Sequence, residues 1–597
     1  MTAVAALQTA VPFLSGYNPA RMSSRERRIV IAVALVCAAT RFLAVARSLW
    51  EWDEALLVLG MRDYDVTVHH PHPPGFPVYI ALGKLLRLVL ASDFRALQAI
   101  NIAAAMLVFP AVYFFARQLG FRFSIAVMAG ALFAFFPNVW FFGGTAFSDI
   151  PSVVLVLFAV TYLLRGAESR NAYWLGTLLL ALAIGIRPQN ILVGLIPGIY
   201  ATLKRRPHEV AIAFLIGLLV VGAAFGGAIY ATGSYERFAG AIRGHSEYIA
   251  NVDSWRNPER PPMWRLLDRF FVKQYQSPLL GIIATIFVIV SAVGSWRERS
   301  RPMLFNVLAF LPFALFAWAM LDRHSVNRFS IAYQPMFALL VADGLQRTGR
   351  RYAPILAAAL VTGFAVYTIP ALTPVRNEVA PSIQAARAVP QMVDPRRARL
   401  YVGHTMSKFV DLVSPRFPYT RIVDDRVMPL STTRPAWVLA ELTKGGEGGF
   451  VFRRERGNLW NIARRHYFGI KLQPLEQQAR FVSGWYPAET TYIYEWRWMG
   501  ARSVTLLPPG GEQTLLRIHL SPAGELANQS PTITIRLNGV VLDQLRISGD
   551  FDRDYRVKAA PNGMPNVLEL TTDKTVTPSQ DTRVLGLKLR ELGWGPA

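Results

Sequence analysis

Arg25-Glu26-Arg27-Arg28 leads into the apolar run Ile29 to Ala46, which is followed by Leu49-Trp50-Glu51-Trp52-Asp53-Glu54. An apolar run of this length suits a membrane-crossing helix, and the basic cluster before it places the N-terminal side in the cytoplasm. Ala44-Val45-Ala46 resembles a signal-peptidase site, but the preceding segment is long and Arg41 interrupts the apolar stretch. The run is therefore expected to stay as an uncleaved first span, and residue 50 lies outside in either case.

Composition supports this start. Of 597 residues, 52% are hydrophobic and only 17% charged, too apolar a balance for a water-soluble chain of this size. The net charge of +24 fits arginine-rich cytoplasmic loops facing anionic lipid, and no nucleic-acid-binding motif accompanies it. No nucleic-acid partner is expected. The one cysteine, Cys37, lies inside the first apolar run, which excludes an internal disulfide and a cysteine metal site.

Working outward, Phe76 to Ser92 carries Lys84 and Arg87 and is short for a span. It reads either as a transmembrane helix or as an amphipathic helix on the outer surface. Taken as a surface helix, it is followed by apolar runs near 97–116, 124–142, 150–164, 174–186, 190–203, 210–232, 278–296, 303–320, 329–346 and 353–373. With the first run this gives about eleven spans. Arg117 and Arg122, Arg165 and Arg170, Lys204 to Arg206, Arg297 to Arg301, and Arg347 to Arg351 then all fall on the inner side. Counting 76–92 as a span would place them all outside, so the surface reading is preferred. The pair 174–203 is too short for two upright spans and is expected to be kinked at Pro188 or partly re-entrant.

Four regions follow: a cytoplasmic tail (1–24), a transmembrane region (25–373), an outer-face mixed α/β region (374–474) and an outer-face β-sandwich (475–597). The sandwich is read from alternating strand-like runs, Thr491 to Trp498, Thr514 to Leu520, Thr532 to Leu537 and Val540 to Ile547, separated by turn residues. Gly445 to Gly449 reads as a linker or loop tip, lacking the Lys-Ser/Thr ending of a phosphate loop.

The outer face collects the polar constellations. Asp53 and Glu54 are candidates for a general base beside two indoles; equally, Trp50 and Trp52 read as interface anchors beside solvated acids. His69-His70-Pro71-His72-Pro73-Pro74-Gly75 offers imidazoles on a chain held extended by proline, suited to gripping a phosphate, though its spacing does not specify a metal. Asp149, in Ser148-Asp149-Ile150-Pro151, returns a second acid to that face or caps the following helix. Arg187, before Pro188, and Arg328, in Asn327-Arg328-Phe329, break the positive-inside pattern. A guanidinium there suits a lipid phosphate or an ion pair, for instance with Asp322. His245, Glu247 and Tyr248, in the long loop 233–277, are candidate acceptor contacts or plain loop surface.

In this order and sidedness, Asp53-Glu54, His72-Pro73-Pro74, Asp149 and Arg328-Phe329 resemble the GT-C glycosyltransferase superfamily, specifically the branch of protein O-mannosyltransferases and the lipid A aminoarabinose transferase. The resemblance covers about residues 25–350. It implies an inverting transferase in which Asp53 is the base, Asp149 supports it or orients the acceptor, and Arg187, Arg328 and His72 hold the donor phosphate. Some relatives have Lys where this chain has His72, which is largely neutral near pH 7. The expected donor is a polyprenyl-phosphate sugar; the acceptor is a lipid, glycan or protein.

An outward-facing site without a nucleotide-binding loop fits a donor anchored in lipid. No cofactor is expected, a divalent metal being left open. The expected location is the bacterial inner membrane, with the site on the periplasmic or extracellular side. The rival reading, a transporter or flippase for a lipid-linked glycan, calls for mid-membrane charges and related halves, which the sequence does not display.

Overall fold

The computed structural model describes residues 22–597 except 258–259, 321–327, 424–425, 432–433, 442–448, 455–468, 492–493, 523, 561–562 and 580. The tail up to residue 21, Asp322 and most of the Gly445 to Gly449 stretch lie outside the described residues. Two compact units are present: one ends at Ala380, and the other comprises Pro381–Arg454 and Arg465–Ala597.

The first unit is helical. Its opening helix, Ser24–Thr40, is started by a reciprocal cap in which Ser23 and Glu26 bond each other's backbone N–H groups. Arg41, the charge that interrupts the apolar run, is buried. Its guanidinium donates to the carbonyls of Cys37 (3.0 Å) and Ala134 (2.7 Å) and lies 5.2 Å from the Trp140 ring. These carbonyls sit at helix ends, where backbone acceptors lack partners, so the arginine closes the helix rather than opposing its burial.

The helix Pro77–Leu86 has 10 residues. At about 1.5 Å per residue it reaches roughly half the hydrocarbon thickness, so it cannot cross alone. Leu85, Leu88 and Val89 at its end are strongly exposed, and Arg87 pairs with Asp93 at 2.7 Å.

Four helical runs are long and apolar enough to span a membrane: Pro207–Thr232, Pro278–Arg297, Arg301–Met320 and the run beginning at Ala353. Asp93–Met106 and Val108–Gln118, bent by 42°, form a fifth if counted as one span. The remaining apolar runs form shorter helices, so length and composition support several spans without fixing the expected count. The breaks have local causes. Residues 124–142 divide at Pro137 into Phe123–Phe135 and Pro137–Phe142, and the pair 174–203 divides at Arg187-Pro188 into Arg170–Ile186 and Ile191–Thr202.

The segment 233–277, expected as a loop, is largely helical: Tyr235–Tyr248, a π-helical turn Ile249–Asp253, and Met263–Phe271. Ser234 caps the first of these through the Arg237 N–H at 3.2 Å. Only Phe238 of that helix is buried, so it carries no apolar stripe for periodicity to detect.

In the second unit, a five-stranded mixed sheet runs in the order Thr420–Ile422, Arg399–Gly403, Ala436–Glu441, Gly469–Pro474, Phe450–Arg453. An eight-stranded antiparallel sheet follows in the order Val540–Arg546, Thr532–Leu537, Asn566–Thr572, Glu495–Leu507, Leu587–Pro596, Thr514–Pro522, Phe551–Val557, with Arg480–Thr490 also paired to Glu495–Leu507. Where two stacked sheets were expected, the strands form one hydrogen-bonded path that curls on itself. Tyr555 on one end strand donates to Asp543 on the other at 2.9 Å, and Ile518, Leu520, Ile535 and Leu570 share one apolar core. Glu495 ties the two sheets together, taking Arg399 at 2.9 Å, the Leu430 N–H at 3.2 Å and the Tyr401 hydroxyl.

In the first unit, Gly144 lets the turn that follows the opening helix meet the turn before Asp149, because a Cβ there would lie 1.8 Å from the Ala44 carbonyl oxygen. Gly144→Ala is expected to destabilise the protein by about 3 kcal/mol or more, read as a lowered melting temperature in detergent.

Candidate active site

Glu54 is the third residue of the helix Trp52–Arg62, and its carboxylate accepts the N–H groups of Trp50 (2.6 Å) and Glu51 (2.9 Å) just before that helix. It also accepts the Ala146 N–H at 2.7 Å, joining the start of the helix Trp52–Arg62 to the turn that carries Asp149. That turn is held further by Gln98, which donates to the carbonyls of Ala46 (2.9 Å) and Gly144 (2.7 Å), and by Asn101, which donates to Thr145 (2.7 Å). Burial pushes the Glu54 carboxyl up to about 7, while the three N–H donors pull it back. Of the two adjacent acids singled out from sequence, Glu54 is thus committed to backbone, whereas Asp53 turns toward the arginines.

Asp53 pairs with Arg328 at 2.7 Å, and Arg328 lies 3.9 Å from Asp149. Asp149 pairs with Arg187 at 2.7 Å, and Arg187 also donates to the Ser148 hydroxyl at 2.9 Å. Four residues singled out in widely separated parts of the sequence therefore form one alternating chain of charge, Asp53, Arg328, Asp149, Arg187. Asp149 opens the helix Asp149–Arg165 but makes no side-chain cap; its carboxylate goes to the arginines. Burial lowers the Arg328 pKa, but the carboxylates of Asp53, Asp149 and Glu51 more than reverse this and raise it.

Aromatic rings wall the arginines. Arg328 lies 4.6 Å from the Phe147 ring and 5.4 Å from Phe329, and Arg187 lies 5.5 Å from Phe76. Phe76 holds a left-handed backbone (φ 49°, ψ 46°) before the helix Pro77–Leu86, a conformation costly for a bulky residue and common where a site constrains the chain. Asp149, Arg187, Arg328 and Phe329 border a cavity of about 10 Å³, room for one water.

His72 joins a cluster of rings: His245 lies 5.8 Å from His72 and 6.2 Å from His69, and Tyr248 stacks 6.5 Å from His245. Burial pushes the His72 imidazole down to about 3 against the pull of Asp53, with His245, Arg328 and Arg187 adding to the depression. His72 is thus neutral at pH 7 and brings no positive charge to a phosphate, which corrects the charge-bearing part of the role implied for it. Of the acceptor candidates, His245 and Tyr248 reach the ring cluster, while Glu247 is exposed on the same helix. Among the described residues, no group of three or more His, Cys, Asp or Glu side chains is arranged to hold a metal.

Sequence reading missed the aromatic walls Phe76 and Phe147 and the Ser152–Asn190 pair (3.0 Å) beside Arg187. Phe147 and Asn190 stand inside the motifs containing Asp149 and Arg187, but neither residue type carries a signal apart from those neighbours.

Residues 71–229 match the family model of dolichyl-phosphate-mannose-protein mannosyltransferases. That match bears out the GT-C resemblance and the enzyme class it implies, a glycosyltransferase. It includes His72, Asp149 and Arg187 and leaves Asp53 and Arg328 outside it. No curated protein is significantly similar in sequence.

Among solved structures, ArnT from Cupriavidus metallidurans bound to undecaprenyl phosphate is similar with a TM-score of 0.47 and 14% identity, covering 74% of this chain and 100% of that one. The apo oligosaccharyltransferase of Archaeoglobus fulgidus gives 0.43 and 11%, covering 94% and 96%. The arabinofuranosyltransferase AftD from Mycobacteria gives 0.45 and 11%, covering 95% and 58%.

The anchor and the imidazole can each be tested by stability. Glu54→Gln turns an N–H₂ group toward backbone N–H donors and is expected to cost about 1–3 kcal/mol of stability, measurable by thermal unfolding. Because the folded chain resists protonating His72, the unfolded chain binds that proton first, and stability falls as pH drops below about 6.5. His72→Gln is expected to make that decline shallower between about pH 6.5 and 4.5; identical slopes would show that His72 titrates normally.

Proposed function

We propose that this chain is an inverting glycosyltransferase that moves a sugar from a polyprenyl-phosphate donor to a lipid, glycan or protein acceptor on the outer face of a membrane, in bacteria the inner membrane. The observation that carries the reading is the chain Asp53, Arg328, Asp149, Arg187, two carboxylates and two guanidiniums assembled from four segments far apart in sequence. A dolichyl-phosphate sugar is the donor named in the matching family model, and its phosphate is an anion of the kind forked guanidiniums hold.

In this reading Asp53 takes the proton from the acceptor hydroxyl as that oxygen bonds the anomeric carbon. The bond from that carbon to the phosphate oxygen breaks on the opposite face, and its electron pair leaves with the phosphate. The sugar configuration inverts. Charge balances: the two acids and two arginines sum to zero, and Asp53 loses one negative charge as the leaving phosphate gains one. Arg328 and Arg187 stabilise that gain, and Asp149 holds the two guanidiniums together. His72, neutral, serves as a hydrogen-bonding group beside the phosphate. His245 and Tyr248 contact the acceptor, Glu247 standing at its outer edge.

The cavity beside the arginines is far smaller than a phosphate. Donor entry therefore requires Arg328 to exchange part of its pairing with Asp53 for the phosphate, which also frees the Asp53 carboxylate for its proton.

The test is transfer of labelled sugar from a panel of polyprenyl-phosphate sugars by purified protein, with Asp53→Asn and Arg328→Gln beside wild type. Asp53→Asn is expected to lower the rate by about 10²–10⁴-fold while donor still binds. Arg328→Gln is expected to weaken donor binding as well. Asp53→Asn with undiminished transfer would remove the base from this position, and wild type that turns over no donor would remove the reading.

A further inference from the structure

At the opposite end of the helix Pro278–Arg297 from the Lys273 to Ser277 turn lies a notch that shares no residue with the candidate active site. Its volume is about 560 Å³; Ile289, Val290 and Val293 form its apolar wall, Gly294 its floor, and Arg297, Glu298 and Arg347 its charged end. Ile289 and Val293, one turn apart on the same helix face, are 56% and 46% exposed on a helix long and apolar enough to cross a membrane.

The floor depends on Gly294, where a Cβ would meet the Arg347 guanidinium at 2.6 Å. Arg347 is fixed there: it forks onto Glu298 at 2.8 and 2.9 Å and donates to Asp343 at 2.6 Å, and Ser291 donates to the same Asp343 oxygen at 2.7 Å. Both acids near the notch are thus spent on Arg347. Among the described residues, Arg297, Arg299, Arg301, Arg350 and Arg351 pair with no carboxylate. At the charged end Arg297 is thus the guanidinium without a carboxylate partner, and Arg299, Arg301, Arg350 and Arg351 stand within four positions of Arg297 or Arg347 in the chain, so positive charge gathers where the exposed apolar face of Ile289 and Val293 ends.

We propose that this notch binds one anionic phospholipid, with an acyl chain along Ile289 and Val293 and the headgroup phosphate at Arg297. Apolar wall and cationic end meet along one helix, as the chain and headgroup of a phospholipid meet along its length. A zwitterionic lipid offers the same chain but no net charge, and free phosphate offers charge but nothing for the groove. The complementarity selects the anionic lipid over both.

The test is native mass spectrometry of the full chain in detergent, titrated with phosphatidylglycerol or with phosphatidylcholine of identical acyl chains. Wild type is expected to retain one phosphatidylglycerol at concentrations where phosphatidylcholine is not retained. Arg297→Gln, at an exposed position, is expected to weaken retention about fivefold. Val293→Trp, which fills the groove without changing charge, is expected to weaken it as well, while Arg28→Gln in the first basic cluster leaves it unchanged. Equal retention of the two lipids would overturn the proposal. So would equal losses in Arg28→Gln and Arg297→Gln, retention untouched by Val293→Trp, or displacement of the lipid by millimolar inorganic phosphate.

Discussion

The candidate site of the helical unit depends on one carboxylate. Glu54 gathers N–H groups from Trp50, Glu51 and Ala146, and these belong to segments separated by almost a hundred positions in the chain. An unpartnered buried N–H is costly, so three donors meeting one buried carboxylate fix the spacing between the two segments tightly. Asp53 precedes Glu54 by one residue and Asp149 follows Ala146 by three. The distance between the two acids that face the arginines is therefore set by a residue that does not face them.

Electrostatics completes what that anchor begins. Two acids placed close together in a poorly hydrated region repel, and the arrangement becomes tolerable only with cations between them. Arg328 lies between Asp53 and Asp149, and Arg187 closes the other side of Asp149. The aromatic rings of Phe76, Phe147 and Phe329 border these pairs, and the loss of water around them strengthens the attraction by which the carboxylates keep the guanidiniums charged against the cost of burial. His72, in the same surroundings without an acid of its own, goes the other way and stays neutral. One environment thus preserves charge on the paired groups and removes it from the imidazole.

Much of this was legible in the chain because it rests on local signals. Apolar runs marked the helices, the break expected at Pro188 is present, and the strand-like runs Thr514 to Leu520 and Thr532 to Leu537 lie within observed strands, whereas the run 124–142, read as one span, divides at Pro137. Asp53, Asp149, Arg187 and Arg328 stood out as charges at the outer ends of apolar segments. What stayed hidden was pairing. Nothing in Asp53-Glu54 says which carboxylate turns to backbone and which to an arginine, because the deciding N–H belongs to Ala146. The helix Tyr235–Tyr248 was hidden for a related reason: it buries only Phe238, so its sequence carries a cap but no stripe. The curling of the eight-stranded sheet likewise depends on Asp543 meeting Tyr555, a contact between the ends of the strand order.

The division between Glu54 and Asp53 also bears on how such a site can change its chemistry while keeping its shape. A residue that binds backbone is constrained by geometry that every substrate shares, whereas one that faces the arginines is constrained by the charge of whatever occupies the site. A histidine rather than a lysine before the Pro73-Pro74 pair removes a charge without disturbing the Glu54 anchor, because the His72 imidazole lies among His245 and Phe76 rather than on that network. Among the described residues of the site, the compensating positive charge then falls to Arg187 and Arg328, and both are already engaged by acids. An arrangement of this kind holds an anion only by releasing an acid, so binding of the anion and liberation of a carboxylate become one event.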